Sequence, residues 1–126
     1  MTRDARQPDG LPRPSFPYSP VVFGGGLVWT SGQVAVDATG GVVSGGIAEQ
    51  TRRVLHNVEA CLAAAGCTMD DVVKVTAFLA DLGDFAAFNA EYAAAFAEPR
   101  PARSTVQAGL AAGLLVEIEA VAVVPG

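Results

Sequence analysis

The stretch "LLVEIEAVAVV", Leu114–Val124, decides how this chain folds. β-Branched and small apolar residues dominate it, so it reads as a strand. Side chains alternate between the two faces of a strand. Val116, Ile118, Ala120, Ala122 and Val124 point one way and make an apolar face suited to packing helices. Leu115, Glu117, Glu119, Val121 and Val123 point the other way, half charged and half apolar. A strand facing water does not usually carry a leucine and two valines among its charges. A face closed by another subunit, with a polar pocket at one point, fits the pattern better.

Just upstream, Ala102–Ala108 reads as a second strand in which Arg103, Thr105 and Gln107 share a face. If the two strands are neighbours, Arg103 and a glutamate line one cleft. Two readings stay open. One is a cross-strand ion pair, worth about 0.2–1 kcal/mol at a surface. The other is an arginine that grips a substrate carboxylate through charge-assisted bonds of roughly 1.5–3 kcal/mol. Beside it, a glutamate in partly apolar surroundings would have a raised pKa and could move protons near neutrality.

The rest of the chain supplies what packs on that apolar face. Ile47–Ala65 carries a helical stripe of Ile47, Thr51, Val54, Leu55, Val58, Cys61, Leu62 and Ala65, with Ser44 upstream as a cap and Gly66 as a stop. Val72–Leu79 is a strand. Asp84 is placed to cap a second helix, Phe85–Ala97, with the stripe Phe85, Phe88, Tyr92 and Phe96; Pro99 and Pro101 end it. Asn89 falls on that stripe, and a buried amide needs partners, either a loop backbone or a ligand. Val21–Phe23 and Leu27–Thr30 form a hairpin through Gly24–Gly26, and Ser31-Gly32-Gln33 then breaks the strand. A turn at Asp37–Gly41 and a short strand at Gly41–Ser44 follow. Tyr18 and Ser31 flank the hairpin, where each alone suits a turn or surface position. The order β-β-α-β-α-β-β predicts an α+β domain with helices on one face of a mixed sheet. Residues 1–15 are polar and proline-rich and read as a flexible arm, leaving one domain over 16–126.

Composition narrows the function. At 126 residues the chain suits a single core. Its mean hydropathy is +0.36, yet no apolar run reaches the ~18–20 residues of a membrane helix, so the excess is expected between subunits. The net charge of −5 argues against nucleic acid as the main partner. The start "MTRDARQPDG" has no apolar leader, and Cys61 and Cys67 frame no disulfide network, so a cytoplasmic setting is expected. One histidine and two cysteines cannot build a tetrahedral metal site, and no Asp-rich loop suits a hard cation. His56 points away from its helix's apolar stripe, which leaves no base for a Ser-His or Cys-His nucleophile. The three glycines 24–26 match no phosphate loop.

Four stretches in order resemble the reactive intermediate deaminase (RidA/YjgF) family: "PYSPVV", "LVWTSGQV", "DLGDFAAFNAEYAAAF", and "RPARSTV" followed by "VEIEAVAV". The resemblance implies a chorismate-mutase-like fold that assembles as a homotrimeric barrel with sites in the clefts between subunits. It implies hydrolysis of imines or enamines such as 2-iminopropanoate to a 2-oxo acid and ammonia, with no metal or organic cofactor. By position, Arg103 would bind the substrate carboxylate and Glu117 would activate water. Tyr18, Ser31 and Asn89 would line the pocket, Gly32 and Thr105 would offer backbone groups, and Glu119 would be structural. Thr105 stands where many relatives have cysteine, and Pro20 follows the Tyr-Ser pair; both bear on substrate range. A non-catalytic trimer binding 2-oxo acids is the second reading, and RNA cleavage is the third and weakest.

Overall fold

A computed structural model describes residues 3–126. Six strands form one sheet: β1 (Asp4–Arg6), β2 (Val21–Gly24), β3 (Leu27–Thr30), β4 (Val72–Leu79), β5 (Ala102–Gln107) and β6 (Val116–Val123). Their order across the sheet is β1-β2-β3-β6-β4-β5. All neighbours are antiparallel except β4 and β5, which run parallel because helix α2 (Phe85–Ala95) connects them. Helix α1 (Ile47–Ala64) joins β3 to β4. Both helices lie on one face of the sheet, giving the expected α+β class.

The alternation in the last strand holds. Val116, Ile118 and Ala122 are fully buried and Ala120 nearly so, all beneath α1, whose own buried stripe includes Val54, Val58, Cys61 and Leu62. The opposite face of the sheet is open and partly apolar, with Trp29, Val106 and Val123 exposed on it. The glycine turn is also as expected. Gly25 and Gly26 have φ of 60° and 78°, the two left-handed positions of a tight two-residue hairpin turn.

Several expectations shift. The arm 1–15 is not unstructured throughout: Asp4–Arg6 extends the sheet by pairing with Val21–Phe23, since the edge of β2 offers unpaired backbone groups. Gly41–Ser44 forms no strand, only an isolated bridge of Val42 with Val36, because Asp37 ties the turn locally through Thr39 and Gly41. Gly46, not Ser44, caps α1: its amide donates to Glu49 Oε2 at 2.9 Å. Asp84 precedes α2 but caps nothing with its side chain, while Asp81 accepts from Gly83 N at 2.8 Å in the turn before it. Helix α2 ends at Ala95, two residues early, as the chain extends toward Pro99. No helix among the described residues is long and apolar enough to cross a membrane.

Candidate active site

The expected cleft between β5 and β6 does not form, because β4 lies between them. Register settles where each side chain points. Arg103 pairs across β4 with Val75 and on to Ala120, both buried on the helix face. Glu117 aligns with Phe78 and then Val106 on the open face. Within one chain, Arg103 and Glu117 therefore stand on opposite sides of the sheet. Glu119 shares the open face with Glu117 and forms no ion pair among the described residues.

Arg103 is held by aromatic rings. Its guanidinium carbon lies 4.6 Å from the ring centre of Tyr92, 5.3 Å from Phe88 and 5.7 Å from Phe85. Such stacking contributes about 0.5–2 kcal/mol and leaves the planar fork of donors unused. No carboxylate lies within salt-bridge distance of Arg103 among the described residues. Asn89, one turn from Tyr92, lines the same groove of about 340 Å³ with Arg103. Asn89 is half-buried, and no hydrogen bond joins its amide to a loop backbone among the described residues.

Thr105 shares the helix face with Arg103, and its hydroxyl is buried without a partner. Its backbone faces elsewhere. Ala108 N donates to Leu79 O, and alternate amides of a parallel strand point to the same side. The N–H and C=O groups of Arg103, Thr105 and Gln107 therefore point to the open edge of β5, where they can meet a ligand or a second chain.

A second cluster forms around Glu117. Thr30 Oγ1 accepts from Ala120 N at 3.0 Å, filling the ladder position lost where β3 breaks. Gln33 then resumes the pairing with Ile118 at 2.8 and 3.0 Å. This one-residue excursion sets Gly32 against the Glu117 side chain. A Cβ on Gly32 would sit 2.8 Å from Glu117 Cδ and closer still to Oε2. We expect Gly32→Ala to displace the Glu117 carboxylate with little loss of thermal stability; a crystal structure of the variant with the carboxylate in place would show that the close approach is dispensable. Ser31 Oγ donates to Ser19 O at 2.5 Å, and Tyr18, Pro20 and Gly32 line a small cleft of about 80 Å³. Gly32 thus joins the Glu117 carboxylate to the cleft lined by Tyr18 and Pro20, while Arg103 and Asn89 line a separate groove.

Burial raises the Glu117 carboxyl above its ordinary value of 4.5, and the neighbouring Glu119 adds to the rise. The cysteines take no part: burial pushes the Cys61 thiol up to about 12, and Cys67 is buried too and shifted in the same direction. No cluster of three metal-ligating side chains occurs among the described residues. Exposed His56 fits its expected place on the outer side of α1.

Sequence reasoning placed Phe85, Phe88 and Tyr92 in the core and missed that they cradle an arginine. Their spacing beside Asn89 was the available signal. It also missed the fully buried Asn57, whose Nδ2 donates to Val34 O and Val36 O, each at 3.0 Å, and anchors the segment after Gln33. No periodicity marks such a residue.

An arginine without an ion pair among the described residues lines a groove on one face of an α+β sheet, and a half-buried glutamate stands on the other. Residues 10–124 match the model of the family described as Endoribonuclease L-PSP, so the chain belongs to that family, which includes the RutC, YjgF and RidA proteins. A RutC family protein of Pyrococcus horikoshii is 44% identical over 116 residues, covering 90% of this chain and 92% of that protein. The 2-iminobutanoate/2-iminopropanoate deaminase of Salmonella typhimurium is 46% identical over 111 residues, covering 85% and 87%. The crystal structure of E. coli TdcF with bound serine superposes with a TM-score of 0.89 at 36% identity, covering 97% of this chain and 99% of that one.

Proposed function

We propose that this chain is a hydrolytic deaminase of 2-imino acids, working in the cytoplasm as a homotrimer whose sites lie between subunits. The arginine carries the reading: its guanidinium is fixed by three rings, has no acid partner among the described residues and lines a groove with Asn89. That is a receptor for a small carboxylate. Relatives named imine deaminases and a relative's complex with serine, itself a small carboxylate, support the choice of substrate.

In the proposed reaction Arg103 grips the carboxylate, with Asn89 and the edge of Thr105 about it. A neighbouring subunit supplies Tyr18, Ser31, Gly32 and Glu117. Glu117 takes a proton from water as the water oxygen adds to the C=N carbon and passes that proton to the nitrogen, giving a carbinolamine. The carbinolamine's hydroxyl proton then moves through Glu117 to the nitrogen, the C–N bond breaks to release ammonia, and the C–O bond becomes a carbonyl, leaving Glu117 ionised again. Positioning removes an entropic barrier, and proton handling contributes a factor of about 10²–10⁴. No step calls for a metal or an organic cofactor. The exposed Trp29, Val106 and Val123 on the open face give the subunits an apolar surface to bury. RNA is a poor partner for a chain of net charge −5 whose groove holds only two arginines.

Mixing two inactive variants tests the divided site. Arg103→Ala and Glu117→Gln chains are co-refolded in equal amounts and assayed on 2-iminopropanoate. If each site draws Arg103 from one subunit and Glu117 from another, about one site in four regains both groups. Activity near a quarter of wild type is the expected result; activity no higher than either variant alone refutes the shared site.

A further inference from the structure

The groove beside Arg103 holds a second guanidinium that hydrolysis of 2-iminopropanoate does not use. Arg100 lines it together with Asn89, Tyr92, Ala93, Pro101 and Arg103. Pro99 and Pro101 flank it and limit the backbone there. Its present partners are weak ones. Arg100 Nη1 donates to Glu98 Oε1 at 3.1 Å and Nη2 to Ala93 O at 3.4 Å. The Glu98 side chain is 80% exposed, so that ion pair is screened by water and can be exchanged at small cost. Glu91, the acid of α2, is taken by Arg52 at 2.7 Å.

A buried polar group without a partner lies beside the groove. Tyr92 lines it and is only 4% exposed, yet its hydroxyl has no hydrogen-bond partner among the described residues. Burial raises the Tyr92 phenol, and Arg103 and Arg100 both pull it back, so the two cations act on one spot. Two guanidiniums in a groove of about 340 Å³ are more than a three-carbon acid with one carboxylate needs.

We propose that this groove selects 2-imino acids bearing a second carboxylate, the imines of acidic amino acids, with Arg103 on the 1-carboxylate and Arg100 on the distal one. The proposal rests on the deaminase reading and names its substrate class. Arg100 leaves Glu98 to bind the distal carboxylate, which exchanges a water-screened pair for one inside the groove. A substrate without the second carboxylate leaves the Arg100–Glu98 pair in place. Arg100 therefore favours the dicarboxylate without barring the smaller acid.

The test uses wild type, Arg100→Ala and Arg100→Lys. Binding of 2-oxoglutarate and of pyruvate is measured by calorimetry. Hydrolysis is followed on imines released from L-glutamate and L-alanine by amino-acid oxidases. Wild type is expected to prefer the dicarboxylate about tenfold in Kd and in kcat/KM, the worth of one charge-assisted contact. Arg100→Ala should bring both ratios to about one, and Arg100→Lys should keep part of the preference. A wild type with no preference overturns the proposal. So does an Arg100→Ala protein that weakens both ligands equally, since that marks a general positive potential. Hydrolysis of the alanine imine with indifference to the acidic one defeats this proposal alone. A wild type that binds neither acid and hydrolyses neither imine defeats the deaminase reading as well.

Discussion

Arg103→Ala is expected to lower kcat/KM for 2-iminopropanoate by roughly 10²–10⁴, the largest loss from any single substitution outside the proton-transfer group. A two-pronged contact supplies two charge-assisted bonds of about 1.5–3 kcal/mol each, and every 1.4 kcal/mol is a factor of ten. The loss should fall mainly on KM, because the carboxylate is held in both ground and transition states, with a smaller fall in kcat from poorer positioning. Arg103→Lys should recover little. A point-charge ammonium cannot present the planar fork or stack across Tyr92, Phe88 and Phe85 as the guanidinium does. Affinity for pyruvate, measured by calorimetry, should fall in parallel with KM. Near-wild-type kinetics in Arg103→Ala would remove the carboxylate receptor from the proposal.

Glu117→Gln is expected to cut kcat about 10²–10⁴-fold with a smaller effect on KM. Two further readouts separate proton transfer from simple disruption. The first is the pH profile. Burial and Glu119 raise the Glu117 pKa above 4.5, so wild-type activity should rise with pH along a limb lying above that value. The variant should lack the limb. The second is stability. A carboxyl with a raised folded-state pKa favours the fold while protonated, and that contribution is lost as pH rises through the folded value. Glu117→Gln escapes the loss. Its thermal midpoint should match wild type in acid and exceed it at neutral pH. A variant that is inactive and also less stable at pH 7 would point to damage rather than to a missing base.

Much of the architecture was legible because burial leaves a period in sequence. β6 alternates cleanly, α1 carries a full stripe, and β4 begins and ends where its β-branched run does. The Gly25-Gly26 turn was legible because two left-handed residues leave few other choices. Strand order was not, because sequence adjacency of β5 and β6 says nothing about β4 entering between them. The parallel pairing of β4 with β5 depends on how α2 crosses the sheet, a property of the whole fold. The site residues were named from their resemblance and their face, yet their division into two groups needed the register. Residues such as Asn57 and Gln50, which clamp loops to α1 through backbone contacts, are invisible to periodicity because their partners lie far along the chain.

The sheet that keeps Arg103 and Glu117 apart also separates two kinds of change. The residues proposed to recognise the acid, from Asn89 to Arg103, belong to α2, the outer strand and the turn between them, while Glu117 and Gly32 belong to the inner strand and the break after the hairpin. Substitutions on one side do not repack the other within the same chain. On the proposed reading, a lineage can therefore widen or narrow the acids it accepts by altering the α2–β5 edge, while the proposed proton-transfer group on the opposite face stays as it is.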